Sequence, residues 1–248
     1  MRRRTWLTLP WTGAAWLASC AWLPREAVVP MPVMRQNASP SRQAPVLVVM
    51  LPGAYSVPQD FIDQGFVAAL RAQRFDVDVQ LADAHLGYME NGSLLKRLRD
   101  DVLTPARQAG YRRIWLVGIS LGGLASLGLL MEQTEQLEGI VAIAPYVGRP
   151  ALVQQVAAAG GPAAFAKRAR ADDDLEAALW IWLGRSDRTV RDKIHLYIGS
   201  GDRLIQGHRL LGALLAADHV TEVPGRHDWP AWKALWSHWL ERAPWAHG

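Results

Sequence analysis

Behind three arginines the chain runs through an uncharged stretch, residues 5–19, and from residue 45 onward short apolar runs alternate with longer amphipathic ones. Residues 46–51 (VLVVML) are continuously apolar and rich in β-branched side chains, the pattern of a strand buried on both faces. Shorter apolar or alternating runs predict strands over residues 75–81, 114–117, 139–144, 193–198 and 219–223. Helical periodicity predicts helices over 58–73, with Phe61, Phe66 and Leu70 on one face, and over 93–109, 121–131, 204–217 and 230–240. Strands separated by helices of this length imply right-handed crossovers. The fold class is therefore α/β, with a mostly parallel sheet of about six strands and flanking helices. Residues 149–192 break the rhythm: they are helical in pattern and hold no strand, and they read as a small helical cap over the strand ends. Residues 20–43, rich in Pro, Ser and polar side chains without periodicity, read as a tether. The folded domain is expected over 44–248.

Composition narrows the function. Half of the 248 residues are hydrophobic and a fifth are charged, which excludes a disordered chain and supplies a large core. The single cysteine, Cys20, excludes an intramolecular disulfide, a cysteine-based zinc site and an iron–sulfur cluster. The net charge of +4 resides mostly in Arg2, Arg3 and Arg4; from Cys20 onward 24 basic residues face 23 acidic ones. That near-neutral remainder, with no phosphate loop, dinucleotide fingerprint or basic–aromatic surface pattern, points away from nucleotides and nucleic acid. No metal or other cofactor is expected.

The uncharged stretch is shorter than the ~18–20 residues that cross a bilayer as a stable helix, and it contains Pro10, so it suits an export signal better than an anchor. It ends Leu17-Ala18-Ser19-Cys20, which resembles the lipobox of bacterial lipoproteins. That resemblance implies removal of residues 1–19 as a signal peptide, lipidation of Cys20 and attachment to a membrane. With Ala rather than Asp at position 21, the expected location is the periplasmic face of the outer membrane. An ordinary signal peptide with Cys20 as a bystander is the alternative. Arg3-Arg4-Thr5-Trp6-Leu7 loosely resembles a twin-arginine signal, which leaves the export route open.

The candidate chemistry starts at Gly118-Ile119-Ser120-Leu121-Gly122, a G-x-S-x-G placed between a predicted strand and a predicted helix. The turn would lift the Ser120 hydroxyl clear of the sheet at the positive end of the helix. A serine nucleophile needs a base, and the base an orienting acid. Of seven histidines, His227 lies in a loop after the last strand and before the last helix, from which it can reach over the strand ends. Asp202 follows the fifth predicted strand in Gly199-Ser200-Gly201-Asp202; it could instead cap the next helix. Two backbone donors are expected to hold a developing oxyanion: the Leu121 N–H, and the Ala54 N–H from the loop after the first strand, with Tyr55 second or lining an acyl pocket.

From about residue 45 to 239 the chain resembles an α/β-hydrolase, with oxyanion loop, nucleophile elbow, acid loop and histidine loop in that order. The resemblance implies a serine hydrolase working through an acyl-enzyme, with Ser120, Asp202 and His227 catalytic and a small-molecule acyl substrate, expected as a monomer. A carboxylic ester is the expected substrate; a peptidase or amidase, or a catalytically silent binding lipoprotein, are the alternatives. The oxyanion loop departs from the family, with Leu-Pro-Gly where many members have His-Gly. Trp229, Trp232, Trp236 and Trp239 form a stripe that reads as helix-to-sheet packing, and Trp229 is placed to help hold the histidine loop. Trp180 and Trp182 read as packing of the cap, with an apolar substrate surface as the alternative, and Asp172-Asp173-Asp174 as the start of a cap helix.

Overall fold

The computed structural model describes residues 25–169 and 174–247. Residues 1–24, with the signal and Cys20, lie outside the described residues, as do Asp172 and Asp173.

The strands are β1 (Val33–Gln36), β2 (Val46–Leu51), β3 (Val77–Ala82), β4 (Arg113–Ile119), β5 (Gly139–Ile143), β6 (Ile194–Gly199) and β7 (Val220–Val223). They form one sheet in the order β1-β3-β2-β4-β5-β6-β7, parallel throughout except for β1, which runs antiparallel to β3. The sheet thus has a seventh strand that the hydrophobic pattern does not predict. β1 lies inside the segment read as a tether.

Period-two side-chain alternation divides the core. Val46, Val48 and Met50 of β2 face one helical layer, whereas Leu47, Val49 and Leu51 face the other. The first layer contains α1 (Pro58–Asp63) and α2 (Phe66–Ala72), separated at Gly65 where a single helix is predicted. The second contains α3 (Leu86–Glu90), α4 (Leu94–Arg97), a π-helical turn at Leu98–Leu103, α5 (Thr104–Gln108) and α6 (Leu121–Gln133). α6 is buried over almost its whole length, which explains why it is apolar on every side.

The cap region is helical, as its pattern predicts: α7 (Pro150–Ala158), α8 (Pro162–Arg168), α9 (Leu175–Arg185) and α10 (Arg188–Arg191). Asp174 caps α9, accepting from the Glu176 N–H. The buried Glu176 carboxylate fastens α9 to the loop after β5, accepting from the Tyr146 hydroxyl at 2.8 Å and the Arg149 N–H at 2.8 Å. Trp180 is fully buried and its indole N–H donates to the Val147 carbonyl at 2.7 Å; Trp182 packs against the same core. Both act as packing residues. α11 (Ile205–Gly212) joins this layer, and α12 (Trp229–Leu240) returns to the first.

Candidate active site

Because β2 to β7 are parallel, their carboxyl ends share one edge, and the loops that leave it carry the candidate residues. Ser120 follows β4 and precedes α6, with φ 52° and ψ −110°, a backbone that side-chain-bearing residues rarely adopt. Its neighbours make the bend possible. A Cβ on Gly118 would fall 2.1 Å from the Gly122 carbonyl oxygen, and one on Gly122 would fall 2.0 Å from the Leu51 carbonyl oxygen. Glycine is therefore required at both positions for α6 to start this close to β2. The Ser120 N–H donates to the Ile143 carbonyl, and its own carbonyl accepts from the Tyr146 N–H.

His227 lies between β7 and α12. Its Nε2 is 2.9 Å from Ser120 Oγ, and its Nδ1 is 2.7 Å from Asp202 Oδ2. A carboxylate can only accept, so Nδ1 carries the proton and the lone pair of Nε2 faces the serine hydroxyl. The Asp202 side chain is fully buried. Burial alone would raise its carboxyl, but hydrogen bonds from His227 and from the Leu204 N–H, with the two neighbouring imidazoles of His227 and His208, hold it below the usual carboxylate range. The acid and histidine loops are stitched by backbone bonds: Ser200 N–H to Val223 O at 2.8 Å and Gly201 N–H to Gly225 O at 2.9 Å. Asp202 does not cap α11, whose N-cap is Leu204; its Oδ1 instead accepts from the Leu204 N–H at 2.8 Å within the acid loop while its Oδ2 receives His227.

Trp232, not Trp229, meets the imidazole: its ring stands edge-on at 5.2 Å and 89°. Trp229 packs on Phe61, Phe66 and Trp232 instead. The difference follows from Asp228, which caps α12 by accepting from the Ala231 N–H and so fixes the side of the helix that faces the loop. His208 on α11 is a residue the sequence does not mark. It is completely buried, and its Nε2 donates to the Pro145 carbonyl at 2.9 Å, tying α11 to the loop behind Ser120. Burial lowers its pKa, which favours the neutral ring. Nδ1 has no partner among the described residues.

The loop after β2 runs alongside the elbow. A Cβ on Gly53 would sit 3.7 Å from that of Ser120, and the Gly122 N–H donates to the Pro52 carbonyl at 3.0 Å. A turn closes from the Ser56 N–H to the Gly53 carbonyl at 3.1 Å. Among the described residues, neither the Ala54 nor the Leu121 N–H is spent on a backbone carbonyl in these turns. Tyr55 is 73% exposed, at the surface of the loop. A cavity of about 60 Å³, with Val147, Pro150, Val153, Arg203 and Leu204 in its lining, lies beside the acid loop.

The fold is that of the α/β-hydrolases. No protein-family model and no curated protein matches the chain. Solved structures do. An S-formylglutathione hydrolase from Staphylococcus aureus is 14% identical, with a TM-score of 0.57 over 89% of this chain and 98% of its own. A ferulic acid esterase is 12% identical, with a TM-score of 0.56 over 87% and 97%. A bottromycin epimerase is 20% identical, with a TM-score of 0.51 over 86% and 93%. At these identities the likeness is one of fold, and the same fold carries more than one chemistry.

Proposed function

We propose that the chain is a serine hydrolase that cleaves carboxylic esters through an acyl-enzyme. The observation that carries this reading is the continuous hydrogen-bonded path from Ser120 Oγ through His227 to the buried Asp202. As the Ser120 oxygen attacks the ester carbonyl carbon, His227 Nε2 takes the hydroxyl proton and Asp202 stabilises the imidazolium. The oxyanion of the tetrahedral intermediate is held by the Leu121 and Ala54 N–H groups, the first aided by the positive end of α6. Collapse expels the alcohol, which leaves with the proton from Nε2. Water then attacks the acyl-serine as His227 Nε2 takes its proton, and collapse releases the acid while Nε2 returns that proton to the departing Ser120 oxygen. The fold is shared with a ferulic acid esterase and an S-formylglutathione hydrolase, so it can carry this chemistry.

Turnover of short p-nitrophenyl esters and labelling by a fluorophosphonate test the reading. Ser120→Ala is expected to lower kcat by at least ~10⁴-fold and to abolish labelling. Equal rates for the two proteins would refute it.

We further propose that Cys20 is lipidated and holds the protein on the cell envelope, at the periplasmic face of the outer membrane. The apolar stretch ending at Leu17-Ala18-Ser19-Cys20 supports this. Cys20→Ser is expected to move the protein from the membrane fraction to the soluble fraction; unchanged partitioning would leave an ordinary export signal.

A further inference from the structure

The segment read as a tether reaches the candidate site. β1 is antiparallel to β3, with Val33 opposite Ala82, so the chain ahead of β1 emerges at the carboxyl edge of the sheet where the catalytic loops lie. There it is fastened at each step. The Met31 N–H donates to Asp101 at 2.9 Å, and the Pro32 carbonyl accepts from the Asp83 N–H at 2.9 Å. The Val28 N–H and carbonyl both engage the hydroxyl of the fully buried Tyr88, at 3.1 and 2.7 Å. At Arg25 the backbone lies so close to α3 that a Cβ on Gly87 would fall 1.9 Å from the Arg25 carbonyl oxygen.

The Arg25 guanidinium then forks. Nη1 and Nη2 grip the two oxygens of Asp83 at 2.9 and 2.8 Å, and Nη2 also donates to the Ser56 carbonyl at 3.2 Å. Ser56 is the last residue of the turn that contains Ala54. That turn is held on its other sides by Gly122 N–H to Pro52 O and by Leu86 N–H to Ala54 O, at 3.0 and 3.4 Å. The second of these contacts is long, and of the three the Arg25 fork is the one made by a charged side chain.

We propose that Arg25 is a positioning residue for ester hydrolysis: through Asp83 and the Ser56 carbonyl it fixes the turn that aims the Ala54 N–H at the oxyanion. This rests on the esterase reading and on Ala54 as donor. Loss of a whole oxyanion donor costs on the order of 10²–10³ in kcat, so a displaced donor should cost part of that. Guanidinium geometry is needed because an ammonium cannot span both carboxylate oxygens and a carbonyl in one plane.

The test uses the full chain and compares Arg25→Gln and Arg25→Lys with Arg42→Gln. The last removes an exposed ion pair with Asp76 near the opposite end of β3. Four quantities are read: kcat and KM on a p-nitrophenyl ester, binding of an alkyl boronic acid that mimics the tetrahedral adduct, and hydrogen exchange of the 52–57 segment. Arg25→Gln is expected to lower kcat about tenfold with KM within twofold, to weaken boronate binding by a similar factor, and to speed exchange at 52–57. Arg25→Lys should fall between, and Arg42→Gln should match the parent. Parental kcat in Arg25→Gln, or an equal loss in Arg42→Gln, would overturn the proposal while leaving the esterase reading intact. A parent chain that turns over no ester refutes the esterase reading, and this inference with it.

Discussion

Ser120 holds φ 52° and ψ −110° because the Ile143 carbonyl, the Tyr146 N–H and the close approach of α6 to β2 leave its backbone no alternative. Such a conformation costs on the order of 1–3 kcal/mol for a residue with a Cβ. Ser120→Gly removes the Cβ and most of that strain, against about 0.5–1 kcal/mol of extra backbone entropy lost on folding. Both Ser120→Gly and Ser120→Ala lose the hydroxyl bond to His227, so the difference between them isolates the backbone term. Ser120→Gly is therefore expected to be about 1 kcal/mol more stable than Ser120→Ala, or about 2–4 °C higher in melting temperature. Melting curves of the two inactive variants check this, and a Gly variant that melts below the Ala variant would place the strain elsewhere. Asp202 shows a different economy at the same scale: one carboxylate both ends a turn on Leu204 and orients His227, so its two oxygens fix the loop and the base together.

At the level of elements, what the sequence discloses depends on how local the cause is. β2, β4, β5 and β6 are legible because two-sided burial writes largely apolar runs, and the elbow and acid loops because each directly follows such a run; β7 (VTEV) is only half-buried and is read from its place between two helical patterns. The assembly of the loops into one hydrogen-bonded path needs only the shared edge of a parallel sheet. β1 is different. It is four residues, Val-Met-Arg-Gln, at an edge, with no apolar run to announce it. Its stability comes from distant acids: Asp78 accepts from Ala38 and Ala44, Asp101 from Met31, and Asp83 from Arg25. The faint signal lies in β3, where Asp78 and Gln80 alternate with Val77, Val79 and Leu81 and mark a face that must meet polar partners. The π-helical turn within 98–103 and the break at Gly65 are likewise invisible to a pattern that tests one helical period. The tryptophan stripe correctly identifies the buried face of α12. Which ring meets His227 depends on the entry angle set by Asp228, and periodicity carries no information about that angle.

Across the whole molecule, the catalytic edge and the opposite end of the sheet are chemically separate. Near the start of β6, His195 stacks on His219 at 4.3 Å and lies against Trp115 and Trp239. Burial, with the neighbouring His219 and against a small opposing effect of Asp218, pushes its pKa down to about 4. The unfolded chain binds that proton near pH 6.5, so between pH 6.5 and 4 the unfolded state holds more protons and stability falls as the pH drops. Between pH 7.5 and 5.0 the loss from this residue is about 2 kcal/mol. His195→Phe, which keeps an aromatic ring beside the two tryptophans, should reduce the acid sensitivity of the denaturation midpoint by roughly that amount. Equal pH dependence in parent and variant would exclude His195 as its source.

The order of the fastenings along the N-terminal segment has a mechanical consequence. From upstream to downstream they are the Arg25 fork, the Val28–Tyr88 pair, the Met31–Asp101 bond and the β1–β3 ladder. A pull on the chain from the upstream side loads these in series, like a zip, and not as a single sheared array. The first to part is the guanidinium that also holds the Ser56 carbonyl. Tension would thus slacken the turn carrying Ala54 while every strand of the sheet remains paired.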